Sequence, residues 1–188
     1  MEFLSALWIP ILVSAALVWI AASLIWTCMP HHKNDFSKTP DEDGTLDFFR
    51  KLNLPAGSYC FPHMSGGAGC NDPKMKELME KGPAGHFTLW ATPVNMGKNM
   101  VLSFITYLAV SVMIAYLAWV TLPHAGLSPG FAKVMQVTGT AGVLGYSFAF
   151  IPGHVWFGTK PRVTVLCIFD GIAMGLITGA TFAWLWPT

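Results

Sequence analysis

Residues 3 to 27 read FLSALWIPILVSAALVWIAASLIWT, a run without a single charged side chain. A helix of roughly 20 apolar residues crosses the hydrocarbon core of a bilayer, so this run is long enough to span one. Its reading as a removable secretory signal fails on three counts: Glu2 stands where a basic residue is expected, the apolar run is too long, and no small-x-small site ends it. Pro10 lies inside the run, removes one backbone hydrogen bond and predicts a mild kink in its first third.

The pattern recurs. Residues 100 to 122, 134 to 151 and 163 to 186 are also uncharged apolar stretches apart from Asp170, and the second of these is glycine-rich and carries Gln136. The sequence therefore predicts an all-α integral membrane protein with four transmembrane helices: helix 1 in residues 1–28 and helices 2–4 in residues 100–188. With 188 residues, 53% of them apolar, 11% charged and a net charge of +1, the chain offers no signal for nucleic acid.

Lys33, Lys38, Arg50, Lys51, Lys74, Lys76, Lys81 and Lys98 lie in the first connection, and Lys160 and Arg162 in the third. The opposite face has only Lys133. The positive-inside rule then predicts a bacterial inner-membrane protein with the long connection cytoplasmic and both termini periplasmic.

That connection, residues 29–99, is long enough to fold and reads as a small α+β subdomain. Thr39-Pro40-Asp41-Glu42 resembles a capping box, with Leu46, Phe49 and Leu52 on one helical face up to about Asn53. A strand around Tyr59-Cys60-Phe61, a short helix opened by Asp72-Pro73 and stopped by Gly82-Pro83, and a second strand over 86–91 complete it. A domain of this size is marginal alone and is expected to lean on the membrane or on a partner. Met64, Met75, Met79, Met96 and Met100 suit such adaptable contacts and serve equally as core filler.

The stretch YCFPHMSGGAGC, residues 59–70, admits three readings. Cys60, His63 and Cys70, with His86, His31 or His32 as a fourth ligand, are chemically able to hold zinc, although the spacing matches no zinc signature. Cys60 and Cys70 can close a disulfide if the loop faces an oxidising compartment. Otherwise they are reduced thiols beside a glycine turn, and the leading expectation is no metal and no intrinsic cofactor. No histidine lies within a span and there is no C-x-x-C-H, so haem or pigment ligation is not expected. His31-His32 after Met29-Pro30 reads as an interfacial helix end.

Asp170 is the one ionisable group well inside a span, about 12 Å from Arg162 along a helix. An intramembrane acid is costly and needs a partner. Tyr107 lies at similar depth, with Ser23, Tyr146 and Ser147 nearer the same face, and their hydroxyls are the expected partners. An acid with no basic or second acidic companion makes a thin relay, so a structural hydrogen bond is the leading reading and a cation path the rival.

Gly171, Gly175 and Gly179 on helix 4, and Ala141, Gly145 and Ala149 on helix 3, recur every four residues and predict close packing of these helices on each other or on another protein. Trp8, Trp26, Trp119, Trp184 and Trp186 read as interfacial belts. There is no nucleotide-binding glycine loop, no H-E-x-x-H, no G-x-S-x-G and no inverted repeat, so no catalytic residue is expected.

Several short motifs, PHHKNDF (30–36), PDED (40–43), PAGSYCFPH (55–63), KGPAGHF (81–87), NMGK (95–98), Asp170-Gly171 and the terminal FAWLWP, resemble a family of small bacterial membrane proteins. The resemblance covers most of the chain and implies no activity. Two functions are carried forward. The preferred one is a non-catalytic accessory subunit of a respiratory or photosynthetic membrane complex, packing against partner subunits, lipids or partner-held pigments. The rival is a small proton- or metal-linked transporter using Asp170 and the histidine-rich face.

Overall fold

A computed structural model of the protein describes residues 2–63, 72–124 and 127–187. Four helices long and apolar enough to cross a membrane are present, over Trp8–Cys28, Met96–Thr121, Phe131–Trp156 and Pro161–Trp184. The chain divides into two compact units, one of Met1–Asp35, Met96–Val155 and Thr159–Thr188, the other of Phe36–Asn95 with Trp156–Gly158. The expected subdomain of residues 29–99 thus gives up its first seven positions to the helical unit.

In the helical unit, α1 (Glu2–Cys28) lies along α4 (Met96–Thr121) and α7 (Pro161–Trp184). Its backbone leaves helical geometry at Leu7, three residues before Pro10, within the turn whose carbonyls the proline ring crowds. The expected kink is there. Buried Ser14 and Ser111 pin α1 to α4: the Ser14 hydroxyl donates to Ser111 at 2.6 Å, and the Ser111 hydroxyl donates to the Ile11 carbonyl at 3.0 Å. Outward, Ile9, Leu12, Ile20 and Leu24 of α1 and Ile105, Met113 and Val120 of α4 are exposed. Such an apolar rim suits lipid, which places no penalty on exposed hydrocarbon.

The third span is not one helix. It runs as α5 (Phe131–Val143), a π turn (Leu144–Phe148) and α6 (Ile151–Trp156). Its contact with α7 is made through glycines: a methyl group on Gly175 would come within 2.5 Å of the Val143 nitrogen, and one on Gly142 within 2.9 Å of the Gly175 α-carbon. Gly179 meets Gly139, and Gly171 meets Tyr146 and Ser147 within the π turn. The α7 stripe is the one expected, but its counterpart is Gly139, Gly142 and the π turn. Ala141 packs towards the main core, Gly145 faces Val110 and Ala149 is exposed. The π turn widens the helix by one residue and re-aims every side chain after it, which a four-residue count does not anticipate.

Trp186 also departs from expectation, being 8% exposed within the core beside Phe182 instead of in an interfacial belt.

The second unit contains α2 (Glu42–Leu52), β1 (Gly57–Phe61), α3 (Pro73–Lys81) and β2 (Gly85–Leu89). β1 and β2 pair antiparallel with Tyr59 opposite Phe87 and Cys60 opposite His86. Asp41, not Thr39, caps α2, accepting from the Gly44 amide at 2.9 Å, so Pro40 lies outside the helix. Asn53 ends it in the left-handed region at φ 49°.

Candidate functional site

Past Cys28 the chain turns at Pro30, whose ring fixes the first position of a short 3-10 turn, Pro30–His32. The turn brings both imidazoles onto α7. His31 Nε2 donates to one carboxylate oxygen of Asp170 at 3.1 Å and His32 Nε2 to the other at 2.7 Å. His32 Nδ1 donates to Asp35 at 2.5 Å. Arg162, in the first turn of α7, closes the arrangement by donating to the second Asp35 oxygen at 3.0 Å and to the His31 carbonyl at 2.8 Å.

Packing fixes the rings. Trp26 stacks on His32 with centroids 4.1 Å apart and planes within 6°, and the two histidine rings touch at 4.3 Å. His32 and Asp35 are each 7% exposed, so their polar atoms depend on one another. Burial alone would lower the His32 pKa, but the hydrogen bonds from Asp35 and Asp170 and their negative charges outweigh it and hold the ring above its ordinary value.

Asp170 therefore does not stand alone. The expected hydroxyl partners are used elsewhere: Ser147 donates to the Ile168 carbonyl at 3.1 Å and Ser23 to the Trp19 carbonyl at 2.8 Å. Tyr107 and Tyr146 instead share with Asp170 the wall of a cavity of about 350 Å³, which Trp26, His154 and Cys167 also line. The Tyr146 hydroxyl is buried and makes no hydrogen bond of good geometry among the described residues, with the Thr178 side chain near it. His154 is turned to Thr164, 3.0 Å from its hydroxyl.

Of the other sequence candidates, Cys60 and His86 face each other across the strand pair and are exposed, as is His63. Cys70 lies outside the described residues, and with it the question of a Cys60–Cys70 disulfide. Among the described residues the one group of three metal-capable side chains is His31, His32 and Asp170, whose ligand atoms all lie within 4.8 Å of one another.

Sequence reading placed the acid and the histidine pair separately and did not join them. The signal for joining them was a constraint: a carboxylate inside a span requires a cationic or hydrogen-bonding partner. The imidazoles that follow Pro30 and Arg162 at the start of α7 are the groups that reach it.

Fold and site together define a protein with four helices long and apolar enough to cross a membrane and a carboxylate–imidazole centre where α1 ends beside α7. No family model, curated protein or solved structure matches the chain.

Proposed function

We propose that this protein is a small cation-linked membrane transporter, proton- or metal-linked, whose cation is handled by Asp170 and the histidine pair. The observation that carries the reading is the convergence of His31 and His32 on the two oxygens of Asp170 beside a cavity among the spans. Ionisable side chains within membrane spans are costly and mark ion pathways and proton relays. The role is non-enzymatic. The basic residues of the connections support an inner-membrane location with the Phe36–Asn95 unit on the cytoplasmic side.

An accessory subunit of a respiratory or photosynthetic complex is the second reading, supported by the exposed apolar side chains along α1 and α4. It is weakened because the glycine stripe of α7 is filled by α5 and is not free for a partner helix.

Reconstitution into proteoliposomes tests the proposal, with an internal pH dye and an internal Zn²⁺ indicator read in parallel. Flux above that of empty vesicles, abolished in Asp170→Asn, is expected. Flux equal to empty vesicles, or unchanged in Asp170→Asn, contradicts it.

A further inference from the structure

We infer that the cluster is a binding site for a divalent transition-metal ion such as Zn²⁺, held by His31 Nε2, His32 Nε2 and one or both oxygens of Asp170. The inference rests on the cation-handling reading above and names its cation.

Donor chemistry comes first. Two imidazole nitrogens and a carboxylate select first-row transition metals over Mg²⁺ or Ca²⁺, which favour all-oxygen shells. Zinc sites with two histidines and one carboxylate leave a fourth position for water or another ligand. Spacing agrees. Bonds of roughly 2.0–2.1 Å in tetrahedral geometry put ligand atoms about 3.3 Å apart. His31 Nε2 lies 3.1 Å from one Asp170 oxygen and His32 Nε2 2.7 Å from the other, and the ligand atoms all fall within 4.8 Å of one another, so small shifts of groups gathered around one carboxylate admit an ion. In entering, it takes the place of the protons that these nitrogens now direct at the carboxylate.

The surroundings distinguish a site from a simple pin between helices. A metal-ligating histidine ordinarily donates its other ring nitrogen to a carboxylate, which fixes the ring and raises its basicity. His32 does this to Asp35, which is itself anchored by Arg162. Pinning α1 to α7 requires one such bond, whereas this arrangement devotes two carboxylates, two imidazoles, a guanidinium and the Trp26 face to one point. Charge also fits: with neutral imidazoles, Asp35 and Asp170 against Arg162 leave one negative charge for the cation. Asp170 also lines the cavity described above, which gives the carboxylate an approach from among the spans.

The test is calorimetric titration of Zn²⁺ into the metal-stripped full chain in detergent, with Co²⁺ spectra as a second readout. One equivalent is expected to bind saturably in the wild type. His32→Ala and Asp170→Asn are expected to remove that binding, and Asp35→Asn to weaken it about 10- to 100-fold. Cys60→Ser leaves it unchanged. Because the core variants can misfold, the wild-type Co²⁺ spectrum is decisive by itself: intense bands of a low-coordinate ion, altered in His31→Ala, are expected. A six-coordinate aquo-like spectrum, or full affinity in both His31→Ala and Asp170→Asn, overturns the inference. Proton flux without stoichiometric Zn²⁺ binding removes the metal site and leaves the transport reading. Stoichiometric binding without flux removes the transport reading and leaves the site.

Discussion

His32 shows what the sequence concealed and why. Its neighbours in the chain, Pro30 and Lys33, mark the end of a span, and a polar ring there is ordinarily a headgroup contact. Its neighbours in space are two carboxylates and an indole, drawn from three different segments. Asp170, by contrast, was legible alone, because an acid in an apolar run carries a cost that must be met wherever the chain folds. Arg162 is the residue whose role is most exposed to test. A guanidinium donates to Asp35 and to the His31 carbonyl at once, a fork that glutamine does not reproduce. Because the Asp35 carboxylate it serves is only 2% exposed, Arg162→Gln should cost about 1–3 kcal/mol of stability, read by denaturant titration in detergent. The same variant should weaken Zn²⁺ binding about tenfold, because Asp35 loses its anchor. The Ser14–Ser111 pair is a purely structural counterpart. Ser14→Ala leaves Ser111 still donating to Ile11, so its cost should stay near the average of about 0.6 kcal/mol for such bonds in membranes.

At the scale of elements, the α5–α7 contact was legible as a stripe but not in its register. Gly171, Gly175 and Gly179 recur on one helical face, and the structure uses all three. The facing residues depend on the π turn at Leu144–Phe148, a stretch without proline in which Gly145 by itself does not announce the change of register. Two alanine variants separate the expectation from the outcome. Gly175→Ala sets a methyl group against the Val143 backbone and should destabilise by about 1–3 kcal/mol. Gly145→Ala meets nothing closer than the Val110 side chain at 3.7 Å and should be tolerated, although both glycines belong to equally regular stripes. Comparable losses in the two variants would contradict the observed packing. The capping of α2 is a smaller case of the same kind: Thr39 and Asp41 both qualify as caps by type, and the side-chain bond from Asp41 to the Gly44 amide decides between them.

For the whole molecule, the spans were the easiest feature to read, because length and lack of charge suffice to define them. The boundary of the inserted unit was harder. Residues up to Asp35 belong with the helical unit because His31, His32 and Asp35 bond to α7 side chains far away in sequence. Among its described residues the inserted unit has two strands and two short helices, and neither helix buries a residue. Residues 36–95 expressed alone should therefore show little cooperative unfolding by circular dichroism, as a domain of this size with so small a core is marginal. His31, His32 and Asp170 act together as one centre, and X-ray absorption at the zinc edge of the full chain loaded with one equivalent examines it directly. A first shell of nitrogen and oxygen at about 2.0–2.1 Å, with outer scattering from two imidazoles, is expected. A sulfur shell at about 2.3 Å would place the metal on cysteine and contradict it.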